Sequence, residues 1–318
     1  RRGAEIKKIE LNLSLMTVLI VGTIGLDTIE TPFGKKEAVL GGSCIHASVA
    51  ASFFAPTAIV GVAGQDFPKA HLKFLNDRGI NTSGVKVLPG KTFRWSGYYE
   101  YDMNHAHTRE TKLNLYDSFD PEVPAALRDA EYLFLANLDP ELQLKVISQM
   151  KRPKLIALDT MNFWIESKRA VLHEVIKKVD IVLLNDGEAR QFMETPNLPI
   201  AAARLLKLGA KAVIIKKGEH GALLFADGTH FAAPSYPQDR LRDPTGAGDS
   251  FAGGLIGYLA KSGDLSEENL RRGIIVGSVM ASFNVEDFSL DRLKRLKQKE
   301  INDRFAEFKR FSEFGALI

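Results

Sequence analysis

Asp243-Pro-Thr-Gly-Ala-Gly-Asp-Ser-Phe-Ala-Gly-Gly254 holds the residue types and spacing best suited to chemistry in this chain. Gly246 and Gly248 lack the Cβ atoms that would keep backbone from closing on a ligand. The apolar run Leu255-Ile-Gly-Tyr-Leu-Ala260 follows, which predicts a loop turning into a buried helix. The free N–H groups and positive dipole end of such a helix make an anion site. Asp249 falls in its first turn, where a carboxylate beside a bound anion costs repulsion unless it has a task. Removing a proton from an incoming hydroxyl is that task. Taken alone, Gly-Ala-Gly-Asp has a blander reading, in which Asp249 merely caps its own helix.

Four further groups of residues end or follow strand-like runs. Asp27 comes shortly after Val18-Leu-Ile-Val21, and Gly41-Gly42 opens a small-residue segment containing His46. Asn185-x-x-Glu188 follows Ile181–Leu184, and Ala212-Val-Ile-Ile-Lys216 leads into Lys217-Gly-Glu-His-Gly221. Three of them have an ordinary structural alternative: a turn carboxylate at Asp27, a close-packed turn at Gly41-Gly42, a first-turn acid at Glu188. Other patterns are set aside. Between Gly84 and Gly90 stand five residues rather than the four of a phosphate-binding P-loop, and no helix follows Lys91-Thr92. His105 and His107 have no third ligand nearby, and Cys44 with His46 is better read as a small buried thiol near a histidine than as a nucleophile pair. The first strand is followed by GxxG rather than GxGxxG, which argues against a dinucleotide-binding dehydrogenase.

The elements that must position these groups have an α/β pattern. Ala58–Ala63, Tyr132–Leu135, Lys154–Leu158, Ile181–Leu184 and Ala212–Lys216 predict buried strands. Between them, Pro68–Arg78, Pro140–Met150 and Ser167–Lys178 predict helices, which gives right-handed βαβ units and a parallel sheet. Ligands bind at the carboxyl ends of such strands, so Asp159-Thr-Met-Asn162 and Asn185-Asp-Gly-Glu188 are expected near Asp249. Thr31–Leu40 predicts an edge hairpin. Phe93, Trp95, Tyr98, Tyr99 and Tyr101 alternate with polar residues over Lys91–Asn114, as in antiparallel strands with one wet face. Arg271–Phe283 predicts a helix of small residues, and Leu290, Leu293, Ile301, Phe305 and Phe308 mark one amphipathic helix over Leu290–Phe308.

The glycine-loop run resembles the C-terminal signature of the ribokinase-like (PfkB) family of carbohydrate and nucleoside kinases. Gly-Ala-Gly-Asp matches completely, whereas Pro244 stands where Thr is common. Gly41-Gly42 is similar to the first signature, with His46 where the family has Asn, and Asn185-x-x-Glu188 matches the NxxE motif. The resemblance spans about Met16 to Leu290. It implies a three-layer αβα sandwich with a mostly parallel central sheet and a small β-lid, built from segments about 28–40 and 91–116. It also implies an ATP-dependent kinase acting with Mg²⁺ on a sugar or sugar-like alcohol. Asp249 would be the base, with Gly246, Ala247 and Gly248 as the anion hole. Asp27, Gly41, Gly42 and the His46 position would hold the acceptor, and Asn185, Glu188, Lys216, Gly218, Gly221 and Thr245 the nucleotide. Glu188 would place Mg²⁺ through water, Asp243 and Thr245 match positions where relatives bind a K⁺-like ion, and the lid often supplies a dimer surface.

Composition is that of an ordinary soluble protein able to bury a core. The 318 residues are 45% hydrophobic and 25% charged, with a net charge of +3 that argues for neither a nucleic-acid nor a membrane partner. One cysteine excludes an internal disulfide and fits a reducing cytoplasm. Residues 1–15 are expected to be a leader, since no small-x-small cleavage site follows the apolar Leu15–Leu26, and residues 16–318 to be the kinase domain. Two rivals are a nucleoside kinase of the same fold, its aromatic lid stacking a base, and a non-catalytic sugar or nucleotide sensor. A sensor has no need of Asp249.

Overall fold

The computed structural model describes residues 17–226 and 228–313; the expected leader, residues 1–15, lies outside them. Strands are β1 (Val18–Val21), β2 (Gly25–Thr31), β3 (Gly34–Gly41), β4 (Thr57–Gly64), β5 (Asn81–Leu88), β6 (Phe93–Tyr99) and β7 (Ala106–Lys112). They continue with β8 (Tyr132–Leu135), β9 (Leu155–Asp159), β10 (Ile181–Asn185), β11 (Ala212–Lys216), β12 (Ala222–Ala226) and β13 (Thr229–Ala233). Helices are α1 (Ser43–Ala51), α2 (Lys69–Asp77), α3 (Pro140–Gln149), α4 (Asn162–Ser167), α5 (Arg169–Ile176) and α6 (Asp186–Met193). After these come α7 (Leu198–Leu208), α8 (Ala247–Ser262), α9 (Glu267–Asn284), α10 (Asp291–Arg295) and α11 (Gln298–Ser312).

The strands form a nine-stranded sheet in the order β13-β12-β11-β10-β9-β8-β1-β4-β5, parallel from β11 through β5, with β12 and β13 antiparallel at one edge. Its central strands have no wet face. Val18 and Ile20 of β1, Leu183 of β10 and Ile214 of β11 join a core with α1, α8, α9 and α11. Their neighbours Leu19, Val21, Val182, Leu184, Val213 and Ile215 join a second core with α3, α5, α6 and α7. Alternate side chains thus feed opposite layers, which is why these strands are continuous apolar runs. A second sheet, β3-β2-β6-β7, has its own small apolar cluster of Ile29, Tyr99, Met103 and Phe288. The αβα sandwich and the smaller lid sheet are as expected.

Several boundaries differ from the sequence reading, among them the start of α9, at Glu267 rather than Arg271. The edge hairpin begins at Gly25 rather than Thr31, so Asp27 lies on a lid strand. The single helix expected over Leu290–Phe308 is two, because Leu296 and Lys297 adopt extended backbone and Lys297 N–H is capped by Glu300 Oε2 at 2.9 Å. The Ser167–Lys178 helix begins only at Arg169, after Lys168 at φ −135°. Both breaks fall where the apolar period continues, so periodicity alone conceals them.

Candidate active site

The site lies where carboxyl ends of the central strands meet the start of α8. Small residues fix that helix: a Cβ on Gly253 would overlap the carbonyl of Ala47, and one on Gly257 would lie 2.8 Å from that of Ala51. Side-chain-free ridges therefore let α8 pack directly on α1. Gly246, the N-cap residue, has φ +76°, a left-handed conformation that glycine adopts without strain. Ser250 N–H closes the first helical turn on Gly246 O at 2.8 Å. Among the described residues the N–H groups of Gly246, Gly248 and Asp249 have no partner, whereas Ala247 N–H donates to Pro244 O at 3.1 Å. The expected Gly246-Ala247-Gly248 hole is thus shifted: Ala247 closes the turn, and Asp249 N–H takes its place among the free donors.

Asp249 is partly exposed and its side chain makes no hydrogen bond to the described residues. Burial and the charge of Asp159 raise its pKa to about 7 against the opposing pull of Lys216. Lys216, at the end of β11, reaches across β10 to Asp159, at the end of β9, with Nζ–Oδ2 at 2.5 Å. A Cβ on Gly248 would lie 3.2 Å from Lys216 Nζ, so the ammonium stands beside the glycine loop. Burial works against the lysine's charge, but Asp159, Glu188 and Asp249 outweigh it and its pKa is raised.

Asn185 and Glu188 form a reciprocal capping box at the start of α6. Glu188 N–H donates to Asn185 Oδ1 at 2.8 Å and Asn185 N–H to Glu188 Oε2 at 2.7 Å. The NxxE spacing therefore has a local structural job, and it leaves Glu188 Oε1 and Asn185 Nδ2 for a ligand. Burial raises Glu188 to about 7, with Lys216 opposing and Asp159 adding to the shift. Among the described residues no cluster of acidic, imidazole or thiol side chains is sufficient to hold a metal unaided.

On the other side, Asp27 Oδ2 accepts from Gly42 N–H at 3.3 Å, while its buried Oδ1 has no partner. Burial, opposed by the Gly42 bond and assisted by Asp243 and Asp249, raises Asp27 to about 7. A Cβ on Gly41 would overlap this carboxylate, and Gly42 has φ +97°. Ser43, next in the chain, exchanges hydrogen bonds with Thr23 at the end of β1 and donates to Asn137 O at 3.2 Å. Asp243 is fully buried and accepts from Thr245 N–H and Ser289 N–H, both at 2.8 Å. Thr245 Oγ1 donates to Tyr99 of the lid sheet at 3.2 Å. Gly218 and Gly221 lie in the exposed turn after β11, both at positive φ. His46 is buried behind Gly246 with Nδ1 3.1 Å from Asn284 Oδ1.

The structure therefore gathers Asp249, Gly246, Gly248, Lys216, Glu188 and Asn185 around the start of α8, with Asp27, held against Gly41 and Gly42, within electrostatic reach of Asp249. Asp159 belongs with them, and its place at the end of the apolar strand Leu155–Asp159 was the signal for it. Asn284 ends a helix in an unremarkable sequence and had no signal. His105, 3.3 Å from Asp102, and His107, stacked on Tyr98, are solvent-side lid residues.

The profile of the pfkB family carbohydrate kinases matches residues 36–291. A cytidine kinase of Thermococcus kodakarensis is 30% identical over 266 residues, 82% of this chain and 94% of that protein. A ribokinase from Giardia lamblia superposes with a TM-score of 0.78 at 16% identity, covering 92% of this chain and 99% of that one. An E. coli putative ribokinase II in complex with ATP and Mg²⁺ superposes with a TM-score of 0.74 at 19% identity and the same coverage.

Proposed function

The chain belongs to the pfkB family of carbohydrate kinases, and on that footing we propose that it moves the γ-phosphoryl group of ATP to an alcohol of a sugar or sugar-like molecule, with Asp249 as general base. The observation that carries this reading is Asp249 itself: an unpaired carboxylate, raised to about 7, beside three unpartnered N–H groups at the start of α8. The base needs a carboxylate reachable by the alcohol, and the phosphoryl oxygens need fixed donors where charge accumulates. Asp27 Oδ1, buried without a donor, supports a role in accepting a hydrogen bond from a second hydroxyl of the acceptor. Gly41 and Gly42 leave room for that approach.

In the transfer step the acceptor oxygen bonds to the γ-phosphorus, its proton passes to Asp249, and the bond to the ADP oxygen breaks. Lys216 and the amides of Gly246, Gly248 and Asp249 neutralise charge on the transferring group. Glu188 and Asn185 would orient Mg²⁺ through water; that ion supplies charge neutralisation on the phosphates. The turn carrying Gly218 and Gly221, at the end of β11, is the proposed neighbour of the nucleoside end of ATP. Asp243 and Thr245 are the proposed neighbours of a K⁺-like ion, supported by the buried charge of Asp243, which only N–H and hydroxyl donors offset. A homodimer through the lid sheet and a cytoplasmic location complete the proposal.

A second reading makes the acceptor a nucleoside, and the cytidine kinase relative favours it. The test is a panel of ribose, fructose, ketodeoxy-sugar acids, inositol, adenosine and cytidine with ATP and Mg²⁺, in K⁺ and in choline buffers. Turnover of one sugar or nucleoside class is expected. Binding of an acceptor with no turnover in either buffer would replace the kinase with a sensor.

A further inference from the structure

Behind the glycine loop lies a buried polar cluster that the transfer step does not use directly. Asn284 and Ser250 are fully buried and His46 is 1% exposed. Asn284, the last residue of α9, donates from Nδ2 to Thr245 O at 2.8 Å. Its Oδ1 accepts from Ser250 Oγ at 3.0 Å and lies 3.1 Å from His46 Nδ1. Because the amide nitrogen is committed to Thr245 O, the oxygen faces the imidazole and Nδ1 must carry the proton. Burial pushes the ring's pKa down to about 4, so it is neutral, and Nε2 has no partner. The ring fills the space that a Gly246 side chain would occupy.

The consequence lies in peptide geometry. Thr245 C=O and Gly246 N–H belong to one planar trans unit and point in opposite directions. Whatever holds the carbonyl toward Asn284 aims the Gly246 N–H away from it. Resting on the kinase reading above, we propose that Asn284 and His46 are positioning residues for phosphoryl transfer. Asn284 fixes the plane of the Thr245–Gly246 peptide, and His46 locks the Asn284 amide while supporting Gly246 from behind. His46 acts through this loop, not by touching the acceptor. Gly246 N–H, the first free donor of the anion hole, is the group they orient.

The test is a split between kcat and KM in folded variants. A misplacement near 1 Å costs about 10²-fold in rate. Asn284→Leu should therefore lose on the order of 10²-fold in kcat, with KM for ATP and acceptor staying within about threefold. His46→Leu should fall in the same direction. His46→Asn should keep most of the rate, because its amide nitrogen sits as many bonds from Cβ as Nδ1 does and can donate to Asn284 Oδ1. The double variant H46L/N284L should lose no more than N284L alone. Unchanged kcat in folded N284L overturns the proposal, as does an acceptor KM that rises in H46L while kcat holds. Should N284L not fold, the H46L and H46N pair decides alone. Wild-type protein inactive on the whole acceptor panel would instead count against the kinase reading itself.

Discussion

Asp249→Asn should make the protein more stable in neutral and alkaline buffer while disabling it. Asp249 titrates near 7 in the folded chain against an ordinary 3.8. Between these values the folded state binds the proton more tightly than the unfolded state does. The carboxylate therefore subtracts stability as pH rises through that interval, and the full cost is present above 7. Three units correspond to about 4 kcal/mol as a ceiling. The side chain stands partly open to the cleft, so water reduces this to roughly 1–2 kcal/mol. Asparagine carries no charge to desolvate and recovers that amount. For a chain of this length each kcal/mol moves Tm by about 1.5 °C, so the variant should melt about 1.5–3 °C above wild type at pH 8. At pH 4 the carboxyl is largely protonated in the folded state and partly so in the unfolded one, and the gap should shrink by more than half. Calorimetry of both proteins, free of nucleotide and divalent ions, reads this directly. A variant less stable than wild type at pH 8, or a gap equal at both pH values, would refute the desolvated-carboxylate argument.

Two further outcomes follow from the same charges. For the free enzyme, kcat/KM should fall on the acid side through about pH 7, and more steeply than one ionisation allows, because Asp27 and Glu188 titrate near the same value. Asp27→Asn should make the limb shallower; a flat profile from pH 5 to 8 contradicts the assignment. Lys216→Met leaves Asp159 buried and unpaired, which should cost about 3–5 kcal/mol of stability by thermal or urea unfolding. Adding Asp159→Asn should restore most of that stability without restoring turnover, whereas recovery of both would make the pair purely structural.

The parallel sheet was legible because its central strands bury both faces, leaving runs such as Leu155–Leu158 and Ile181–Leu184 with no polar interruption. The placing of Asp249 in the first turn of α8 was legible because a glycine loop runs there into an apolar stretch. What stayed hidden depends on long-range geometry. Lys216 and Asp159 lie 57 positions apart, and His46 and Asn284 lie 238 apart, so no local pattern links either pair. The capping box at Asn185 and Glu188 shows the converse. Its spacing was visible, yet the same residues satisfy a helix end, so spacing could not separate the two roles. Which amide of Gly246–Asp249 is free depends on whether the turn closes on Pro244, a matter of backbone dihedrals rather than residue types.

The central claim, that Asp249 takes the alcohol's proton at the mouth of α8, is tested most directly by single-turnover transfer from ATP–Mg²⁺ to the preferred acceptor in wild type and Asp249→Asn. The variant should bind nucleotide and acceptor as wild type does and form phosphorylated product on the order of 10²–10⁴ times more slowly. Product formation at the wild-type rate by the folded variant would contradict it.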